Sequence, residues 1–342
     1  MSSTNNDKRI DWIDCSKGIT ILLVIFGHTI SSGGSQLEQV LRGGIFSFHM
    51  PLFFILSCIT FKLSTEGSQF VKKTEKACRH LVFTALILYG LRTLVNIVNN
   101  FHTIEWKGYI AEKINVLVYG SGSNVIVSGT VIPAFGMMWF FVVLFWGRTL
   151  FDYLHLKLKK IKFIVAILMS TMIGIVLGCV QWLPLSFDVA LVVMPFFWFG
   201  DYLKHANLNR KRAAGCIVSL LIWGITFAMS YFIKNDYMEL AGRRYPLFPL
   251  CYITAMAGTM FICYFSQYML MLGGLAKPLV YIGRNSIYLY CVHAMDYVYG
   301  FIWSRTNSNI VNGMIRIVAD VFMCVILVRV IKLIPLLRMR NK

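Results

Sequence analysis

Residues 161–180 read IKFIVAILMSTMIGIVLGCV, a run of twenty residues in which Lys162 is the only charged side chain. A helix that crosses a bilayer needs about 20 largely apolar residues, so this run predicts a transmembrane helix. Similar runs recur along the chain, since 57% of its 342 residues are hydrophobic and only 14% are charged. Soluble proteins carry about 25% charged residues. The composition therefore indicates that lipid surrounds most of this protein.

Ten runs in the chain have the length and apolar content of a spanning helix. They cover residues 17–33, 44–61, 81–99, 135–154, 161–180, 185–203, 213–233, 247–270, 279–301 and 311–334. Within the remaining stretch 100–134, the part from 110 to 119 could form an interfacial helix or a re-entrant segment. The pattern predicts an all-α polytopic transmembrane helix bundle of about ten spans, with residues 1–342 as a single integral-membrane domain.

The basic residues fall mainly in alternate loops between these runs. The chain has 33 Lys and Arg against 15 Asp and Glu, a formal net charge of +18. Cytoplasmic loops of membrane proteins are enriched in Lys and Arg, so the N-terminal segment 1–16 and the basic tail 335–342 are both expected in the cytoplasm. No soluble segment is long enough for a basic nucleic-acid-binding domain. Membrane lipids are expected partners, and nucleic acid is not.

Familiar catalytic and metal-binding motifs are missing from the sequence. The nine cysteines lie mostly in apolar runs, with no CxxC pair and no Cys/His metal spacing, so they are expected to be small buried side chains without a disulfide framework. HExxH, Gly-x-Ser-x-Gly and Gly-rich phosphate-binding motifs do not occur. We therefore expect neither a catalytic metal nor serine-hydrolase chemistry.

The first apolar run carries the most informative polar residues. Lys17 and His28 are eleven positions apart, so on a helix they project from the same face, with a rise of about 16 Å between them. Lys17 is expected near the cytoplasmic interface and His28 deep in the bilayer, which suits a path for an anionic substrate that ends at a base. A Lys that reaches back to the interface, paired at i,i+3 with Asp14, and a His bonded to a neighbouring carbonyl would explain the same residues structurally.

Other charged residues inside the runs can be interpreted as local ion pairs. Arg148 and Asp152, and likewise Arg316 and Asp320, are four residues apart, a spacing that favours pairing along one helix face. A polytopic protein with interior His and Arg could also be a transporter or flippase for a glycan or a small anion.

Five segments, taken in order, resemble acyltransferase family three, a family of integral-membrane enzymes that includes many bacterial O-acetyltransferases. The segments are RIDWIDCSKGITILLVIFGHT (9–29), FSFHMPLFFILSCITF (46–61), MMWFFVVLF (137–145), FFWFGDYLK (196–204) and YIGRNSIYLYCVH (281–293). Near the start of family members a basic residue is followed, after ten arbitrary residues, by a His. Lys17 and His28 match this spacing. The family also has a paired-arginine motif after the second helix. Here Lys76 replaces the first arginine, which loses the bidentate guanidinium fork, and Arg79 keeps the second.

The resemblance implies an inner-membrane enzyme that transfers an acyl group, most often acetyl from acetyl-CoA, to a hydroxyl of a cell-envelope or secreted polysaccharide or its lipid-linked precursor. Acetyl-CoA is then a donor substrate, and no permanently bound cofactor is expected. In this scheme His28 accepts the hydroxyl proton or, alternatively, carries the acyl group itself. The implied site residues are His28 as the catalytic residue, Lys17, Lys76 and Arg79 for the donor, and His49, Trp139 and His293 for the acceptor.

Simpler explanations remain open for several of these residues. Basic residues in the loop from Lys62 to Arg79 also follow from the positive-inside topology alone. His49 and His293 could have structural roles, and Trp139 could belong to an interfacial aromatic belt.

Overall fold

The structure is a computed structural model that describes residues 10–31, 33–127, 129–206, 208 and 212–333. The predicted cytoplasmic tail 335–342 and residues 1–9 of the predicted N-terminal segment lie outside the described residues. The described part of the chain is 81% helical, which confirms the all-α prediction. Nine cysteines fall within the described part of the chain, and all of them are free thiols.

The α-helices are, in chain order, α1 (Asp11–Thr29), α2 (Gln36–Phe46), α3 (His49–Thr60), α4 (Gly67–Ala77), α5 (Phe83–Asn100), α6 (Trp106–Tyr119), α7 (Trp139–Lys157), α8 (Ile161–Val180), α9 (Phe187–Val192), α10 (Met194–His205), α11 (Arg212–Lys234), α12 (Leu250–Met271), α13 (Lys277–Arg284), α14 (Ser286–Met295), α15 (Gly300–Trp303) and α16 (Asn309–Leu333). A π-helical segment, Cys78–Val82, joins α4 to α5. Short 3₁₀ helices cover Phe101–Thr103, Gly136–Met138, Pro184–Ser186, Gly273–Ala276 and Asp296–Tyr299.

Among the described residues, six helical segments are long and apolar enough to cross a membrane. They are Gln36–Thr60, Gly67–Thr103, Gly136–Lys157, Ile161–Val180, Arg212–Lys234 and Leu250–Met271, and α9 with α10 adds a seventh that is bent by 50°. Each matches one of the ten predicted runs. The other three runs fall in α1, in α13 to α15 and in α16, which are helical but shorter, broken or richer in charge. The chain is therefore a multi-pass α-helical membrane protein.

The uncertain stretch 100–134 contains α6, as the pattern suggested, and a small hairpin that it did not indicate. Gly120 ends α6 with a left-handed backbone, φ 53°, a conformation that glycine adopts without steric cost. The strands β1 (Val125–Val127) and β2 (Thr130–Ile132) then pair antiparallel, with Val125 opposite Ile132.

The described residues form two compact units. The first unit contains the described residues of Met1–His49, Leu208–Asn235 and Tyr252–Lys342. The second unit contains the described residues of Met50–Asn207 and Asp236–Cys251.

In the first unit, α1 and α13 cross at two glycines. A Cβ atom on Gly283 would lie 1.6 Å from the backbone oxygen of Asp14, and one on Gly18 would lie 2.1 Å from that of Leu279. No side chain fits either gap, so glycine at both positions allows the two backbones to touch, as is common between membrane helices. The segments 9–29 and 281–293, which resemble the family, therefore pack directly on each other.

In the second unit, buried phenylalanines fill the space between helices. Phe54 on α3, Phe151 on α7 and Phe197 on α10 are each at most 1% exposed. The ring of Phe197 lies 5.8 Å from each of the other two rings. A Cβ on Gly200 would come within 2.4 Å of the backbone oxygen of Ile55, so α10 lies directly against α3.

Arg243 is fully buried and forms hydrogen bonds with several loops of the second unit. It donates from Nε and Nη2 to Asp188 at 2.8 and 3.2 Å, and to the hydroxyls of Ser121 at 2.7 Å and Ser186 at 3.2 Å. A further bond goes to the backbone oxygen of Ala241 at 2.8 Å. Every guanidinium N–H is thus used, so this arginine ties loops together and has no donor left for a ligand.

Candidate active site

The first unit brings together three histidines that the sequence proposed as site residues. His28 lies in the last turn of α1, His49 is the first residue of α3, and His293 lies in α14. The ring centre of His28 is 5.6 Å from that of His293 and 6.5 Å from that of His49. His49 and His293 are 4% and 1% exposed, whereas His28 is exposed. His28 is therefore the most accessible member of the cluster.

His49 is positioned by a break in the second predicted run. The helix stops after Phe46 and restarts at His49, and the Nδ1 atom of His49 lies 3.2 Å from the backbone oxygen of Ile45. Because a carbonyl oxygen only accepts hydrogen bonds, Nδ1 must be the donor, which leaves Nε2 as an acceptor in the neutral ring. The ring of Phe46 lies 4.6 Å from His49 and 5.1 Å from His28 and so forms an apolar side of the cluster.

The last turn of α1 is fixed by Arg42 of α2. Its Nη1 donates to the backbone oxygens of Gly27 at 3.1 Å and Ile30 at 2.9 Å. The last carbonyls of a helix have no partner within the helix, and a cation there also interacts favourably with the helix dipole. Arg42 therefore holds the turn that carries His28.

The ring of His293 is held by two carboxylates. Its Nδ1 lies 2.9 Å from Oδ2 of Asp296 and 3.0 Å from Oδ2 of Asp320. A carboxylate accepts hydrogen bonds, so Nδ1 carries the proton, and this fixes both the tautomer and the plane of the ring. The other nitrogen, Nε2, is buried and has no hydrogen-bond partner among the described residues. Acidic residues that orient a histidine in this way are typical of catalytic sites.

Arg316 neutralises the first of these carboxylates. It donates from Nε and Nη2 to Asp296 at 2.5 and 2.9 Å and from Nη1 to the hydroxyl of Thr29 at 3.2 Å. Its guanidinium also lies 4.3 Å from the ring of Trp303. The two-point geometry with Asp296 is the strong form of an arginine–carboxylate pair.

The predicted pairing of Arg316 with Asp320 along α16 is wrong. Asp320 instead accepts hydrogen bonds from His293 and, at 2.8 Å, from the hydroxyl of Tyr299. Both partners lie outside α16, and Asp320 is fully buried. Helix spacing indicates which residues can meet on one face, but here partners from other elements satisfy the buried groups more completely.

The three residues His293, Asp296 and Asp320 could in principle hold a metal ion, since one ligand atom of each lies within 4.8 Å of the others. However, both oxygens of Asp296 accept from Arg316, and one oxygen of Asp320 accepts from Tyr299. A divalent cation at this position would also face the Arg316 guanidinium. These side chains are therefore better suited to hold the His293 imidazole by hydrogen bonds than to bind a metal ion.

Lys17 lies on the same uninterrupted helix as His28, as predicted, because α1 runs from Asp11 to Thr29 without a break. Its Nζ is 3.9 Å from Oδ1 of Asp14, which confirms the expected i,i+3 pair. The helix begins six residues before the predicted run, so Lys17 lies in its second turn. Arg284 pairs with Asp11 at 2.8 Å and approaches Asp14 at 3.4 Å, so this end of α1 is a small ionic network.

The remaining predicted site residues belong to the second unit. Lys76 is exposed in the last turn of α4, and Arg79 is exposed in the π-helical segment, where it pairs with Glu75 at 3.0 Å. Trp139 is 7% exposed at the start of α7 and packs so closely on Gly122 that a Cβ there would lie 2.4 Å from its ring. Their roles in binding donor or acceptor stay predictions.

These features define a class of protein: a multi-pass membrane enzyme with a histidine–carboxylate site in its helical interior. A comparison with models of protein families matches residues 10–331 to the acyltransferase domain of family three. The chain belongs to acyltransferase family three and is an acyltransferase. A comparison with curated proteins found no match.

Several residues of the site were not predicted from the sequence. Asp296 lies three residues after His293, the spacing that identified the pair of Lys17 and Asp14, so this signal was present but unused. Arg42 and Tyr299 carried no such signal, because their contacts join segments far apart in the chain.

Proposed function

We propose that this acyltransferase lies in the bacterial inner membrane and transfers an acetyl group from acetyl-CoA to a hydroxyl of a cell-envelope or secreted polysaccharide, or of its lipid-linked precursor. One observation carries the proposal: the exposed imidazole of His28 lies 5.6 Å from His293, whose ring is fixed by two buried carboxylates. Transfer of an acyl group to a hydroxyl requires removal of the hydroxyl proton, and an accessible imidazole beside an oriented one is suited to that step.

In the proposed reaction, His28 accepts the proton of the acceptor hydroxyl while its oxygen attacks the thioester carbonyl. The new C–O bond forms, the C–S bond breaks, and coenzyme A leaves as a thiolate that takes up the proton. An imidazole can accept a proton and later donate it, so one residue can perform both transfers. The apolar contact with Phe46 keeps one side of His28 away from water.

His293 binds the acceptor sugar through a hydroxyl next to the one that reacts. Its Nδ1 proton is committed to Asp296 and Asp320, so Nε2 is the atom that can accept a hydrogen bond from that neighbouring hydroxyl. His49 has the corresponding arrangement, with Nδ1 bonded to the backbone of Ile45 and Nε2 as the acceptor. Two imidazoles with fixed orientation would hold neighbouring hydroxyls and so place the reacting hydroxyl beside His28, which lowers the entropic cost of reaching the transition state.

The donor is proposed to approach from the cytoplasm. The basic loop that holds Lys76 and Arg79, together with Lys17, supplies positive charge for the phosphates of acetyl-CoA. The alternation of Lys and Arg along the sequence supports ten crossings with both termini in the cytoplasm, where coenzyme A is found.

The test is acetyl transfer by the purified protein in nanodiscs, with radiolabelled acetyl-CoA and an envelope glycan fraction. We expect His28→Ala to reduce transfer at least 100-fold, in line with the loss of a general base, while binding of acetyl-CoA is retained. His102→Ala is the matched control, because His102 is an exposed histidine outside the cluster.

Retained transfer by His28→Ala at normal protein levels would remove His28 from the mechanism. If the wild-type protein neither binds acetyl-CoA nor transfers acetyl, yet moves a glycan across liposomes, the transferase proposal fails in favour of a transporter.

A further inference from the structure

Arg148 of α7 lies in a cleft of the second unit beside α4, and we propose that this cleft binds a phosphate group with Arg148 as its main ligand. The proposal rests on the proposed function in one respect, namely that acyl-CoA is the source of the phosphate.

Arg148 is partly buried, and one of its nitrogens lacks an acceptor. Its Nε is buried with no hydrogen-bond partner among the described residues. The sequence suggested an ion pair with Asp152, but that prediction is wrong: the carboxylate of Asp152 accepts from the backbone N–H of Ser64 and from its hydroxyl, both at 2.7 Å. A buried donor left without an acceptor costs about 1–3 kcal/mol, and more when it is charged. Such a donor requires an acceptor from water, an ion or a ligand.

The guanidinium of Arg148 lies over the ring of Phe61 at the edge of the cleft. Its central carbon is 4.3 Å from the ring centre, a cation–π contact, and both residues line the cleft. A guanidinium presents several N–H donors in one plane, and this arrangement matches planar and tetrahedral anions. Arg148 is therefore suited to a phosphate.

The lining of the cleft suits an anion. Lys73, Thr74 and Thr149 line it together with Arg148 and Asp152. Lys73 is half-buried and uses one of its three donors on the backbone oxygen of Lys62, at 2.7 Å. Asp152 brings the one negative charge of the lining, and its two oxygens are already occupied. Two cations against one carboxylate leave a net positive charge, with hydroxyl donors beside it.

The size of the cleft limits how much of the ligand it encloses. Its volume is about 10 Å³, close to the space of a single water-sized sphere. One oxygen of a phosphate can enter beside Arg148, while the rest of the ligand stays at the mouth near Lys73. An anion held through one oxygen can belong to coenzyme A or to the headgroup of a phospholipid.

The experiment measures binding of coenzyme A to the full-length protein in phosphatidylcholine nanodiscs by calorimetry. Arg148→Gln should raise the Kd of coenzyme A about 10- to 100-fold, the range for a lost hydrogen bond to a charged group. Lys73→Gln should raise the Kd by a smaller factor. Pantetheine, which has no phosphate, should show no difference between wild type and Arg148→Gln. Arg305→Gln, at an exposed position, is the matched control and should bind coenzyme A normally.

A second measurement separates the two sources of phosphate. Native mass spectrometry of the purified variants reports how much phospholipid each one retains. Loss of retained phospholipid in Arg148→Gln, with coenzyme A binding unchanged, would support a phosphate site and assign it to lipid. Unchanged binding of both ligands in Arg148→Gln would overturn the phosphate site, and a cleft that holds only water would explain that result.

A failure of the proposed function would give a different result from a failure of the phosphate site. If wild-type protein and every variant fail to bind coenzyme A, acetyl-CoA is not the donor. The phospholipid measurement still decides whether Arg148 binds phosphate.

Discussion

Replacing Asp296 and Asp320 by asparagine, singly and together, tests how His293 is held. Asparagine keeps the shape of each side chain and removes its charge. The Nδ1 proton of His293 lies 2.9 Å from Asp296 and 3.0 Å from Asp320, so either carboxylate can hold the ring when the other is lost. The double variant has no carboxylate at this position, and the imidazole can then rotate or change tautomer.

The expected losses of activity follow from the fact that two carboxylates share the Nδ1 proton of His293. A hydrogen bond to a charged group contributes about 1.5–3 kcal/mol, and only part of it is lost while a second acceptor remains. We expect each single variant to slow acetyl transfer about 5- to 10-fold, close to 1–1.4 kcal/mol of transition-state energy. The double variant should lose about 100- to 1000-fold, or about 2.7–4 kcal/mol, and we expect the same loss for His293→Ala.

The two single variants should differ in stability. Asp296 also pairs with Arg316, whose charge is left buried without a counterion in Asp296→Asn. Breaking a buried pair in this way costs about 3–5 kcal/mol. Asp320→Asn loses a charged acceptor for Tyr299 but leaves no buried cation behind. Thermal unfolding in detergent should therefore place Asp296→Asn below Asp320→Asn.

The assay is the rate of transfer from labelled acetyl-CoA at saturating donor, normalised to folded protein. Asp236→Asn is the control, because Asp236 pairs with an arginine elsewhere, at 2.6 Å from Arg244. Two results would refute the reasoning: a single variant that loses as much activity as His293→Ala while still folded, or a double variant with wild-type activity.

Two further predictions concern packing and buried charge. Arg243→Met leaves Asp188 buried without its counterion and should destabilise the protein by about 3–5 kcal/mol; Arg244→Met, at a neighbouring half-exposed pair, should cost about 1 kcal/mol or less. Thermal unfolding in detergent measures both, and equal losses would contradict the structural role of Arg243. Gly283→Ala places a Cβ 1.6 Å from a backbone oxygen of α1 and should abolish the yield of folded protein, whereas Gly224→Ala, with nothing within 4 Å, should be tolerated. Size-exclusion profiles after purification give the comparison, and a well-folded Gly283→Ala protein would show that α1 and α13 do not touch there.

Much of the fold could be predicted from the sequence because it depends on local properties. Apolar runs of about 20 residues specify spanning helices wherever they occur, and the described part of each predicted run is largely helical. The pair of Lys17 and Asp14 was also predictable, since residues three apart on a helix are neighbours whatever the rest of the chain does. The break at Ser47 and Phe48 carried no comparable signal, although it sets the position of His49.

The candidate site was predicted in part. His28, His49 and His293 were each named from their positions in segments that resemble the family, and the structure brings them together. Asp320 and Arg42 were not found, because they act through contacts between different helices. Asp296 was also not named, although it lies only three residues after His293.

The sequence by itself determined that lipid surrounds the protein, where its helices lie and which histidines belong to the candidate site. Hydropathy and helical spacing are properties of neighbouring residues, so they can be obtained without the fold. Tertiary structure decided how the charges pair. Arg316 donates hydrogen bonds to Asp296 instead of Asp320. Arg243 forms a buried ion pair with Asp188. Arg148 donates to neither Asp152 nor any other described residue. In the interior of a membrane protein an unpaired charge is costly. Arg316 and Arg243 therefore take the partners that packing brings to them, and those partners are distant in the sequence.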